Sequence, residues 1–272
     1  MKKKGEYISR IEIDSLWSGR KHVVWDLKPG VNILSGVNGV GKSTILNRVV
    51  HHMLSVDKYE KELQGVHLTY YPEDANWVDF DVIRSFDRPV LSSEFMKKMT
   101  GATLNTELDF HLYQLQRRYL DYQVNLSNRM VAIFTSSDPE AHVKAAEVAA
   151  EKGHFLDVVD ALFADTGKKI VRSSNEIEFE QMGEIIQPHQ LSSGEKQMLI
   201  IQLTVLVQNQ GHRVLFMDEP EVSLHIEWQQ KLIGLIRDLN PNVQIILTTH
   251  SPAVIMDGWV DCVTDVEDII ED

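Results

Sequence analysis

Gly36-Val37-Asn38-Gly39-Val40-Gly41-Lys42-Ser43 has the residue types and spacing to hold a chain of phosphates. Glycines at these intervals let backbone N–H groups turn inward around negative charge. A helix predicted from Thr44 onward would aim its positive end at the same charge. Lys42 is then expected to reach the β- and γ-phosphates of a nucleotide and Ser43 to ligate Mg²⁺, with Thr44 assisting at the α-phosphate and Asn38, Gly39 and Gly41 lining the loop. A second constellation lies far along the chain. Val214-Leu215-Phe216-Met217 is an apolar run ending in Asp218-Glu219. A buried parallel strand delivers its last side chains to the edge where α/β sheets bind ligands. Asp218 is placed to join the Mg²⁺ shell, and Glu219 to orient and deprotonate an attacking water.

These residues need a sheet to carry them, and the surrounding pattern supplies one. Residues 7–35 read as β-rich: Tyr7 to Ile13 alternates with strand period, Lys28-Pro29-Gly30 is a turn, and Val31 to Ser35 is a buried strand entering the phosphate loop. Further strands are predicted around Val66–Tyr70, Phe80–Arg84, Val214–Met217 and Val243–Thr249, with helices over Thr44–Val56 and 224–239. Between about 92 and 165 the pattern is helical instead. Leu112, Leu115, Tyr119, Tyr122 and Leu126 recur at three- and four-residue steps as one apolar stripe, and exposed aromatics there would mark a partner site. Asp138-Pro139 reads as a helix start, and Gly153 and Gly167 as breaks. Ile170–Arg172 and Ile177–Phe179 read as a hairpin around Ser174-Asn175. The tail after Trp259 reads as short and acidic.

The chain of 272 residues is 43% hydrophobic and 25% charged, an ordinary globular balance. No run is apolar enough to span a bilayer, no secretory signal follows the basic first residues, and the single cysteine, Cys262, excludes an internal disulfide; the expected location is cytoplasmic. The net charge of −13 argues against a protein that coats DNA. The basic spots at Lys2 to Lys4, Lys97-Lys98, Arg117-Arg118 and Lys168-Lys169 read as solvated surface pairs unless folding gathers them on one face.

Taken in series, these motifs resemble those of the ABC-type P-loop ATPase superfamily. After the phosphate loop come Leu191-Ser192-Ser193-Gly194-Glu195-Lys196-Gln197, similar to the signature of that superfamily, and the Asp218-Glu219 strand. Glu221-Val222-Ser223-Leu224-His225 is similar to its D-loop, and Thr248-Thr249-His250-Ser251-Pro252 looks like its switch histidine. The resemblance implies a single α/β ATPase domain over 1–272. Its nucleotide-binding core would span 1–90 and 191–272, a mixed sheet flanked by helices, and about 90–190 would hold an inserted helical lobe and the signature region. It implies ATP and Mg²⁺ as ligands and a homodimer closing on ATP, with Ser193 and Gly194 of one copy gripping the γ-phosphate held by the other. His250 would sense that phosphate. The glutamine that couples Mg²⁺ to the lobe in this superfamily has no evident counterpart: Phe80 through Arg88 contains none, and Gln64 is early. Trp17 stands at a distance suited to stacking on adenine, and a packed core or edge position is the alternative that suits it better.

Within the superfamily the chain resembles the soluble ATPase modules of overcoming-lysogenization-defect nucleases, RecF-like repair proteins and anti-phage defence systems. That likeness implies an ATP-driven dimeric switch acting on a separate effector, a nuclease or toxin. The alternatives are an ATPase subunit coupled to membrane permeases through its lobe, and a repair-type ATPase acting directly on DNA.

Overall fold

The structure is a computed structural model that describes residues 3–16, 21–59, 65–84 and 104–271. Trp17, Gln64 and the Lys97-Lys98 pair lie outside the described residues. The chain divides into two compact units, one of 1–85, 211–233 and 242–272, the other of 86–210 and 234–241.

The first unit holds two sheets. β3 (Val31–Ser35), β5 (Phe80–Arg84), β9 (Arg213–Asp218), β10 (Val243–Thr248) and β11 (Val263–Asp265) form a five-stranded sheet in the order β11-β3-β10-β9-β5. Every pairing in it is parallel. β1 (Tyr7–Leu16), β2 (Lys21–Asp26), β4 (Val66–Tyr71) and β12 (Ile270–Glu271) form an antiparallel sheet in the order β12-β2-β1-β4. The sequence explains the difference. β10 is buried at every position, as a parallel strand covered on both faces must be, whereas β4 alternates between exposed and less exposed positions. Helix α1 (Lys42–Tyr59) contributes Ile45, Leu46, Val49, Val50 and Met53 to one core with Ile8, Ile11, Ile13, Leu34, Val214, Phe216 and Ile246 of the sheets. Each such side chain stabilises the fold by roughly 1.5–3 kcal/mol.

The tail after Trp259 is more than an acidic end. β11 extends the parallel sheet beside β3, and β12 pairs with β2. Val266 and Ile269, between them, are buried in the core. The apolar residues at three- and four-step intervals dock the segment despite its charge.

The second unit is built on helices α2 (Glu107–Phe134), α3 (Ala141–Phe163) and α4 (Ser193–Leu206), with a small antiparallel sheet β6-β7-β8 at Lys169–Ile170, Phe179–Gln181 and Glu184–Ile186. Thr106 caps α2 in a reciprocal box with Asp109. The predicted stripe is buried at all five positions, so its aromatics are internal packing. The hairpin around Ser174-Asn175 forms with its strands shifted away from the turn, at Lys169–Ile170 and Phe179–Gln181, with Ile170 opposite Phe179. Two expectations are corrected. Gly153 does not break a helix: it sits inside α3, where a Cβ would meet open space, and the flanking apolar residues carry the helix past it. The helix after Asp138-Pro139 begins only at Ala141, because the Asp138 carboxylate accepts the Glu140 N–H, which closes a turn in place of capping the first helical turn. Helix α5 spans Ile226–Leu239. Helix α6 (Pro252–Met256) is one short turn in the first unit.

Candidate functional site

Three adjacent parallel strands deliver the candidate residues to one edge. β3 leads into the phosphate loop, β9 ends at Asp218, and β10 ends at Thr248, which lies opposite Asp218 in the register and also opposite Leu34 of β3. All three ends are C-terminal, the edge at which open α/β sheets bind ligands.

The loop has the backbone that its glycines predict. Gly39 and Gly41 have φ of +84° and +109°, where an L side chain is strained. Asn38 and Gly39 are exposed and Thr44 lies on the surface of the first turn of α1. Lys42 is 4% exposed, with Nζ donating to the carbonyls of Gly36 at 2.7 Å and Val37 at 3.2 Å. Its ammonium is therefore inside the curl of the loop. The first N–H groups of α1 have no intrahelical acceptor, which leaves donors for an anion beside that ammonium.

Ser43 Oγ donates to Asp218 Oδ1 at 2.8 Å, and Thr248 Oγ1 donates to the same oxygen at 2.6 Å. A hydroxyl and a carboxylate converging from a helix start and a strand end form a hard oxygen donor set. That chemistry fits Mg²⁺, which takes one or two protein oxygens and keeps its other positions for water and phosphate. Thr248 was not singled out from the sequence. The signal available was its place one residue before Thr249-His250 at the end of a buried strand.

Glu219, next in the chain, has φ of +46°. That conformation is disfavoured for a side chain with a Cβ, and more so before Pro220. Its N–H is shared between Thr248 O and Oγ1, each at 3.1 Å, which fixes the turn. Strain of this kind concentrates where a side chain must be aimed. His250 Nδ1 lies 3.4 Å from Glu219 Oε1 and 3.9 Å from Glu221 Oε1. Lys42, Ser43, Asp218, Glu219 and His250 are thus gathered at one sheet edge.

Ser193 and Gly194 belong to the second unit. They are the first residues of α4, Ser193 exposed and Gly194 partly so. Ser192 is the N-cap. Its hydroxyl accepts from Glu195 N at 3.4 Å and donates to Glu195 Oε2 at 2.9 Å, and its own N–H donates to that oxygen at 2.9 Å. Sequence reading passed over Ser192, though Ser-x-x-Glu before an apolar run is the mark of such a cap. Glu195 Oε1 also accepts from Lys168 Nζ at 2.8 Å and Thr166 Oγ1 at 3.1 Å. Burial raises the Glu195 pKa, but the Lys168 and Ser192 hydrogen bonds and the Lys168 charge outweigh it, so the carboxyl sits below the usual range. Lys168 is consequently not the solvated surface cation expected from sequence; its amine is held against the signature turn. Lys196 is likewise paired with Asp109 at 2.8 Å, both side chains buried. The signature turn is thereby braced while its exposed first residues stay available for contact.

Along 91% of its length the chain is similar to the Septu protein PtuA of Bacillus thuringiensis, 25% identical over 303 residues and spanning 72% of that protein. A shorter stretch of 76 residues is 38% identical to the retron Ec83 probable ATPase of Escherichia coli, covering 24% of this chain and 14% of the relative. The retron Vc95 probable ATPase of Vibrio cholerae matches over 76 residues at 34%, covering 24% and 15%. Among solved structures, an Smc head bound to the C-winged helix domain of ScpA shares the fold at a TM-score of 0.54 and 14% identity, covering 92% of both chains. The α/β core thus has the fold of that Smc head. Residues 108–257, more than half of the chain, match the family model described as "AAA domain, putative AbiEii toxin, Type IV TA system", and the chain belongs to that family.

Proposed function

We propose that the protein binds and hydrolyses ATP with Mg²⁺, and that two copies close on the nucleotide as a switch for a separate effector in a bacterial antiviral defence system. The observation that carries the chemical part is the convergence of Ser43, Asp218, Glu219 and His250 beside the Lys42 ammonium. Lys42 and the first N–H groups of α1 would bind and orient the phosphates. Ser43 and Asp218 would hold Mg²⁺, which when bound neutralises phosphate charge. Glu219 would take the proton of a water aligned on the γ-phosphate, with its carboxylate aimed by the strained turn. His250, beside Glu219, would contact the γ-phosphate and register its loss. The exposed Ser193 and Gly194, at the start of α4, would grip the phosphate held by a second copy.

The relatives' names support the wider setting: a Septu protein, two retron ATPases and a family described by a type IV toxin–antitoxin system. An ATPase module that works beside another component, a nuclease or toxin, fits that set better than a permease subunit. The test is phosphate release from ATP by the purified protein. Turnover that is absent in Lys42→Ala and Glu219→Gln supports the assignment. Equal release by wild type and both variants, or none by wild type with Mg²⁺ and a purified effector present, overturns it.

A further inference from the structure

Glu221 follows the acidic pair by two residues and is 3% exposed, in the turn between β9 and α5. A carboxyl in such a place calls for a reason, because burial favours a neutral side chain. Its Oε1 accepts a short hydrogen bond from the Thr249 hydroxyl, while its Oε2 is buried with no partner. Burial pushes its pKa up, against the opposing pull of Thr249, the backbone N–H groups of Glu221 and His250, and the His250 charge. The contact with Thr249 is part of a closed circuit. Thr249 Oγ1 accepts the Ser251 N–H at 3.0 Å, and Ser251 Oγ donates to Gln229 Oε1 at 2.7 Å. Gln229 Nε2 then donates to the carbonyls of Leu224 at 2.9 Å and Glu221 at 3.4 Å. The loop after β9 and the loop after β10 are tied together at both ends.

His250 sits inside that circuit, between Thr249 and Ser251. Its side chain is 48% exposed, so packing does not hold the ring. Its aim at Glu219 depends on the backbone on either side. We propose that Glu221 is a positioning residue for His250: it anchors the Thr249 hydroxyl and thereby holds the stretch of backbone that points the imidazole at the Glu219 carboxylate. Glu221 acts through Thr249, and the need is for a buried acceptor rather than a negative charge. Glutamine supplies the acceptor; alanine does not. The kinetic consequence rests on the proposed ATP hydrolysis, while the placement of the ring does not.

Two measurements on the whole chain test this. The first is the imidazole signal of His250 in histidine-labelled protein, identified by its loss in His250→Gln. Thr249→Val is expected to move that signal and Thr249→Ser to leave it in place; no movement in Thr249→Val, or equal movement in both, overturns the proposal. The second is turnover. Glu221→Ala is expected to lower kcat about tenfold with ATP affinity unchanged, the scale of one lost hydrogen bond, and Glu221→Gln to restore it to within about twofold. A Glu221→Gln variant as slow as Glu221→Ala, or a Glu221→Ala variant as fast as wild type, overturns it. Absence of turnover in wild type contradicts the hydrolysis reading alone, and the His250 signal then decides this one.

Discussion

At the scale of single residues, Lys42 and Glu219 divide the labour proposed for the site. Lys42 lies in the curl of the phosphate loop and Glu219 at the end of β9, beside His250. Lys42→Ala is expected to abolish ATP binding, read by calorimetry or fluorescent nucleotide. Glu219→Gln is expected to retain binding and lose turnover by at least about 100-fold, the scale of a positioned general base. The phosphate loop and the acidic pair were legible in the sequence because both are contiguous: a local run of glycines, and an apolar strand with its terminal acids. The Ser192–Glu195 cap is equally local, a Ser-x-x-Glu pattern before an apolar run; Thr248 and Glu221 were not legible. Their meaning comes from partners brought in by the fold, such as the shared Asp218 oxygen. Trp17 and Gln64 lie outside the described residues, and the role of a coupling glutamine stays unassigned.

At the scale of elements, the start of α4 carries a contact that depends on pH. The Glu195 carboxyl has a pKa lowered on folding, so its contribution is present above the unfolded value and is lost as pH falls through the folded one. Glu195→Gln should therefore lower stability at neutral pH, and the gap from wild type should close in acid. Thermal or urea unfolding across that range checks it, and a gap that widens in acid would contradict it. Breaking the buried pair outright with Glu195→Ala should cost on the order of 3 kcal/mol, since Lys168 is left without its counter-charge. Ser192→Ala should cost about 1 kcal/mol, the usual loss of an N-cap. The long helices were legible because their period is local: five residues from Leu112 to Leu126 mark the buried face of α2. Strands β11 and β12, of three and two residues, carry no readable alternation. They exist because Val266 and Ile269 dock into a core that includes Ile8, Val23 and Leu34 from the far end of the chain, and because β11 and β12 find β3 and β2 as neighbours. The glycine at 153 misleads for the opposite reason: packing of the helix around it outweighs a local cost of about 1 kcal/mol.

At the scale of the whole molecule, the parallel sheet and the phosphate site make one half of the proposed machine, and the exposed first residues of α4 make the other. In the proposed switch, each copy's signature would meet the other's nucleotide. Ser193→Arg should then prevent ATP-dependent association while leaving phosphate-loop binding at wild-type affinity, which separates closure from binding in one variant. The net charge of −13 and the engagement of Lys168 with Glu195 both favour protein partners over a nucleic-acid track. The most direct measurement is the mass in solution of Glu219→Gln with saturating ATP and Mg²⁺, taken by light scattering and compared with ADP. The account predicts about twice the 31.1 kDa chain mass with ATP and the single-chain mass when Ser193→Arg is added. A Glu219→Gln protein that binds ATP yet stays at the single-chain mass, or a dimer indifferent to nucleotide and to Ser193→Arg, would contradict it.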